Sequence, residues 1–117
     1  MTRAKGPAVD VRSWPDLGLT DDEVAHAARV LQVIAQTTRL RILREVARSE
    51  PPGPSCEDLK RTLGLSSPGV VPVHVDALEE VGLVVTTHRP ERWKRTVQLK
   101  DPAAVAELLR AAANIQT

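Results

Sequence analysis

The chain has no phenylalanine and no tyrosine; Trp14 and Trp93 are its two aromatic residues. Any core must therefore be filled by Leu, Val, Ile and Ala. There is one cysteine, Cys56. That excludes an internal disulfide and fits a reducing cytoplasm, the expected location. No apolar run reaches the ~18 residues that a membrane span needs, so no membrane partner is expected. The N-terminus has no signal-peptide core, since Ala8 and Val9 are flanked by Pro7 and Asp10. An excess of charge of one sign is missing too: the net charge is +1. Composition alone therefore announces no nucleic-acid binder. There is no internal repeat. No nucleophile-base-orienter triplet, glycine-rich phosphate loop or HExxH motif occurs, so an enzyme is not expected. Cys56 reads as a small half-buried residue near a helix start, with Glu57 and Asp58 opposing thiolate formation. At 117 residues the chain makes one domain with a modest core.

What is present is concentrated in residues 55–84. Ser55 can cap a short helix, with Asp58 three residues on to answer it. Leu59 and Leu63 share a face of that helix. Gly64 ends it in the left-handed region, and Leu65 is the buried residue of the turn. Ser66 or Ser67 offers the next cap for a second helix to about Val81. Pro72 is tolerated only in a first helical turn, so that helix starts near Val71, or starts at Ser67 and is disturbed near Pro72. Gly82 stops it, and Leu83-Val84-Val85 opens a strand. Two helices joined by so short a turn form a helix-turn-helix, whose second helix commonly enters the DNA major groove.

Around this motif the rest falls into order. Residues 1–19 form an arm with Gly6, Pro7, Pro15 and Gly18. Its reading stays open between a frayed tail and a segment that brings Arg3, Lys5 and Arg12 to DNA. Residues 20–117 form the domain. Thr20 to Glu23 is a capping box, and Val24, Ala27, Ala28, Leu31, Ile34 and Ala35 repeat at helical spacing, giving a helix over about 21–35. Thr37 or Thr38 caps a second helix to about Arg48. Its inward residues are expected to be Leu40, Leu43, Val46 and Ala47, and Arg39, Arg41, Arg44 and Arg48 to form an exposed basic face. Residues 50–54 cannot be helix. Residues 83–88 and 95–99 alternate as two strands, joined by a connection from Arg89 to Lys94. Asp101-Pro102 is a strong helix start. The last helix, about 102–115, carries Val105, Leu108, Leu109, Ala112 and Ile115 on one stripe.

LGLSSP followed by HVDALEEVGLV resembles the LGLSQP…HL..L…GLV pattern of the ArsR/SmtB-type winged-helix transcription regulators. Ala35 to Leu43, AQTTRLRIL, resembles that family's A-D-P-T-R-L-R-I-L segment. The resemblance spans roughly residues 21–115; MarR-like and other winged-helix regulators are near in pattern. It implies a mainly α (α+β) winged helix-turn-helix: four helices, a two-stranded wing over 83–100, and a C-terminal dimerisation helix. It also implies a homodimer through the first and last helices, with Val24, Leu31, Ile34, Leu108, Leu109 and Ile115 at the interface. Two-fold symmetry suits a palindromic DNA site.

The expected function is thus a sequence-specific DNA-binding transcription regulator acting on double-stranded DNA. Arg89, Arg92, Lys94 and Arg95 form the basic wing that would hold phosphates. Ser66, Ser67, Val70, Val73 and His74 would face bases. The family's T-V-S-R-H-L-K-V-L helix is matched imperfectly: Val73 stands for Arg and Asp76 for Lys. Asp76 is expected to repel phosphates, so Asp76→Lys should strengthen binding. This acidic helix supports a rival reading as a protein-interaction module with weak or no DNA binding. Metal sensing is the other alternative. The family's paired cysteines are absent here, with Ser55 and Glu57 in their places. Asp22, Glu23 and His26 share a helix face, and imidazole with carboxylates suits nickel, zinc or cobalt. The bland reading of those acids is a helix cap.

Overall fold

The computed structural model describes residues 17–67, 69–87, 91 and 94–115. The elements are α1 (Asp21–Ile34), α2 (Thr37–Arg48), α3 (Cys56–Leu63), α4 (Val70–Glu80), β1 (Val84–Thr86), β2 (Val97–Leu99) and α5 (Pro102–Asn114). This is the expected order.

Local chemistry explains most of the boundaries. Both α1 and α3 open with reciprocal capping boxes. The Thr20 hydroxyl accepts from the Glu23 backbone N–H at 3.1 Å, and the Thr20 N–H donates to the Glu23 carboxylate at 2.9 Å. Ser55 and Asp58 repeat the exchange at 2.9 and 3.1 Å. Gly64 closes α3 with φ 69°, which a side chain would make costly. Pro72 is the third residue of α4, where its missing N–H has no helical carbonyl to serve. The Asp101 side chain accepts from the Ala104 N–H at 3.1 Å, and Pro102 is the first residue of α5. The start of α2 differs from expectation. Gln36 is its N-cap and makes no side-chain bond, while Thr37 is already helical.

The core gathers Ile42, Leu43 and Val46 from α2, Cys56, Leu59 and Leu63 from α3, and Val71, Val75 and Leu78 from α4. Val84, Val97 and Val105 close it from the hairpin and α5, and Leu65 packs against it partly buried. Three sequence expectations are corrected. Ile42, not Leu40 or Ala47, is the third buried residue of α2, because the stripe is rotated toward Leu43 and Val46. Ile34 lies inside the protomer's own core, 6% exposed, and is not free for an interface. Cys56 is fully buried at the start of α3.

The hairpin is antiparallel, with Val85 opposite Gln98. It continues one step beyond the strands, where the Thr87 N–H donates to the Thr96 carbonyl at 3.1 Å. Residues 53–55 run along its other edge: Val97 N–H donates to the Pro54 carbonyl, and Ser55 bridges Thr96. A Cβ at Gly53 would collide with the Val97 carbonyl, so this close approach needs glycine. The Cys56 N–H, at the start of α3, donates to the Arg95 carbonyl at 2.9 Å. The base of the wing is thereby fixed to the helix-turn-helix.

Candidate nucleic-acid interface

α3, the turn at 64–67 and α4 form the helix-turn-helix, and the hairpin stands beside α4. The buried stripe of α4 is Val71, Pro72, Val75 and Leu78. Its opposite side is open: Val73 is 58% exposed and Val70 half-buried, while Ser66 and Ser67 are exposed just before the helix. These four expected base-facing residues share one surface.

His74, Asp76 and Glu79 of α4 are held from outside the helix, on both flanks. On one flank Arg95 reaches in from the foot of β2. Its Nη1 donates to Asp76 Oδ1 at 2.9 Å, and Nη2 stands 3.5 Å from Glu79 Oε1. Thr86 joins the cluster, donating from its hydroxyl to Glu79 Oε2 at 2.9 Å. On the other flank Arg39 of α2 donates from Nε to His74 Nδ1 at 2.9 Å, and from Nη1 to the Val33 carbonyl at 3.0 Å. Burial, then the Arg39 charge, push the His74 pKa below the ordinary histidine value.

Several expectations change as a result. Arg95 is 8% exposed and ion-paired, so it is a strut between wing and helix, not an open phosphate contact. Asp76 is not an isolated charge; Arg95 pairs with it and stands near Glu79, offsetting part of their joint charge. The basic face expected of α2 is likewise broken up. Arg39 and Arg41 are turned to internal acceptors, Arg41 to the Leu63 carbonyl at 3.3 Å, and Arg48 pairs with Glu45. Lys94 is exposed, as expected of a wing cation. Arg89 and Arg92 lie outside the described residues. Sequence reasoning missed the two arginine struts. Their partners stand 35 and 19 residues away, which no local spacing reveals.

The remaining sites divide. Val24 and Leu31 of α1 are each 52% exposed, and Ile115 is 74% exposed. Leu108 and Leu109 pack partly against the core. Between α2 and α5 runs an apolar groove of about 870 Å³, lined by Leu40, Leu43, Val105 and Leu109 with Arg44 and Arg110. The Asp22, Glu23 and His26 set is not drawn together. Glu23 is engaged in the cap and His26 Nδ1 faces Arg29 at 3.3 Å. Among the described residues no three His, Cys, Asp or Glu side chains are grouped to hold a metal. No described helix is long and apolar enough to cross a membrane.

This architecture defines a winged helix-turn-helix protein. A family model described as a helix-turn-helix domain matches residues 34–87. Among solved structures, HlyU from Vibrio cholerae N16961 is 28% identical, covering 80% of this chain and 97% of its own, with a TM-score of 0.62. HlyU from Vibrio vulnificus CMCP6 is 29% identical over 79% of this chain and 92% of its own, with a TM-score of 0.56. The homodimeric winged helix-turn-helix DNA-binding domain Mb0332 from Mycobacterium bovis, described as a possible ArsR-family regulator, shares the fold. It is 23% identical over 85% of this chain and 91% of its own, at a TM-score of 0.63. No curated protein matches the sequence. With the motifs above, these likenesses make the chain similar to winged helix-turn-helix transcription regulators such as HlyU.

Proposed function

We propose that the chain works as a homodimer on double-stranded DNA, with α4 in the major groove and the hairpin tip against the backbone. The observation that carries this is the open face of α4. Val73 is exposed and Val70 half-buried, Ser66 and Ser67 are exposed just before the helix, and Asp76 and Glu79 are held to the side by Arg95. Such a face can read thymine methyl groups and accept or donate through hydroxyls. It has no cation, so affinity falls to the wing, where Lys94 is exposed and Arg89 and Arg92 are close in sequence. Dimerisation would use the exposed apolar residues of α1 and α5, and two copies would present two recognition helices to a palindromic site.

Fluorescence anisotropy with the gene's own upstream DNA, across a salt series, tests this. Arg92→Ala with Lys94→Ala should weaken binding on all sequences and lower the salt slope by about one per lost phosphate contact. Unchanged affinity and slope would remove the wing from the interface. The interaction-module reading rests on the acids of α4, of which Asp76 and Glu79 share Arg95; a chain that binds no duplex at low salt would favour it. The metal-responsive reading has to share Glu23 with the cap of α1, where one of its oxygens is engaged. Calorimetry with nickel or zinc, wild type against His26→Ala, decides it.

A further inference from the structure

Arg39 is more than a tether. Its guanidinium is always charged and carries donors only. The His74 nitrogen that it reaches must therefore offer a lone pair. That nitrogen is Nδ1, at 2.9 Å from Arg39 Nε. A neutral imidazole has one ring proton, so the proton resides on Nε2, across the ring from Arg39. No buried side-chain nitrogen or oxygen among the described residues lacks a partner, and the hydrogen bond of His74 is the one from Arg39. Nε2 therefore lies at the surface. His74 is one turn from Val70 and next to Val73, on the border of the open face of α4. Arg39 is itself fixed by the Val33 carbonyl at the end of α1, so it cannot easily swing away.

We infer that Arg39 is a positioning residue for DNA recognition. It fixes His74 as a hydrogen-bond donor at Nε2, so that α4 favours a purine, whose N7 accepts, at that point. Cytosine offers a donor there and is disfavoured. The inference rests on α4 entering the major groove. Without Arg39 the ring exchanges between tautomers, and a ring with an Nε2 lone pair tolerates the cytosine or adenine amino group. Removing Arg39 should then relax choice at one position without lowering binding equally everywhere.

The first measurement needs no DNA. Long-range ¹H–¹⁵N correlation on the full chain at neutral pH reads the tautomer directly. The wild type should carry its proton on Nε2, and Arg39→Met should give a mixture. A wild-type His74 protonated at Nδ1, or at both nitrogens, overturns the inference by itself. The second measurement selects duplexes from a randomised library and repeats the anisotropy with a 7-deazapurine at the discriminating position. Loss of N7 should cost the wild type roughly three- to tenfold, the scale of one hydrogen bond, and cost Arg39→Met much less. In a His74→Ala background, Arg39→Met should leave the sequence preference unchanged. Arg39→Lys keeps the charge and the stem but lacks the Nε donor. It should show the same relaxed preference, and serves where Arg39→Met fails to fold. Equal weakening on every duplex with the preference intact would make Arg39 a structural tether only. A wild-type chain that selects no duplex sinks the regulator reading and this inference with it, whereas the wrong tautomer sinks this one alone.

Discussion

Helices α1 and α3 begin alike and end differently. Each opens with the same reciprocal capping box, and each has an apolar stripe. Yet α3 buries three of its eight residues, while α1 buries one of fourteen. α5 resembles α1: its thirteen residues bury Val105 alone. The difference is not in helix-forming signals but in what stands opposite. The α3 stripe meets α2 and α4 within the same chain. Much of the α1 stripe meets solvent. A capping box and a stripe decide that a helix forms and which face is apolar; they do not say what covers that face. The centre is covered within the chain, whereas the periphery leaves part of its apolar stripe exposed.

The sharpest way to break this contrast is to truncate one leucine on each side. Leu59 is 1% exposed, and Leu59→Ala should cost about 2–5 kcal/mol in urea unfolding. Leu31→Ala, at a half-exposed position, should cost the isolated protomer about 0.5 kcal/mol or less. Equal losses would mean that α1 belongs to the core after all. Next in size is Arg95→Met, which removes the guanidinium from beside Asp76 and Glu79. Charged hydrogen bonds contribute about 1.5–3 kcal/mol, and the half-exposed acids put the loss near the low end. Asp76→Lys should also destabilise, because it sets a second cation beside Arg95.

A smaller effect on the fold, but a decisive one on assembly, is expected at the periphery. Leu31→Glu with Ile115→Glu should yield folded monomers in sedimentation velocity, since both side chains are exposed and neither supports the core. Leu108 is a poorer choice than the sequence implied, because it packs partly against the protomer's own core. A dimer that survives the double change would place the interface elsewhere.

The same contrast shows what could be read from sequence. Caps, the left-handed glycine and the Asp-Pro helix start involve residues within three or four positions, so spacing alone placed α1, α3 and α5 closely. The turn and α4 followed from Gly64 and from the rule that Pro72 needs a first turn. The site was less legible. His74, Val70 and Val73 were recognised as surface residues of the second helix, but Arg95 was counted as a wing cation. Its role depends on the Cys56 N–H fixing its backbone and on acids one turn apart in α4. Arg39 looked like one of several exposed arginines on α2. Nothing in the segment around it announces a histidine 35 residues on.

The last and smallest effect concerns pH, and it separates two contacts of the centre. Burial, and then Arg39, lower the His74 pKa in the folded chain. The unfolded chain therefore takes up a proton at higher pH than the folded one. The resulting stability is fully present above the ordinary histidine value and drains away as pH falls through the lower folded value. Asp58 is lowered too, first by the hydrogen bond from the Ser55 backbone N–H, with help from the Ser55 hydroxyl and Arg61 and against its burial. Its contribution holds above the ordinary carboxylate value and is lost as pH falls through the folded one. Unfolding free energy followed from mildly alkaline to acid pH should thus fall in two windows, histidine first. His74→Gln should flatten the upper window and leave the lower intact; Asp58→Asn should do the opposite. Arg39→Met should weaken the upper window without abolishing it, because burial is the larger cause and persists. A His74→Gln variant with an unaltered upper window would show that His74 is exposed in solution, and the Arg39 contact with it.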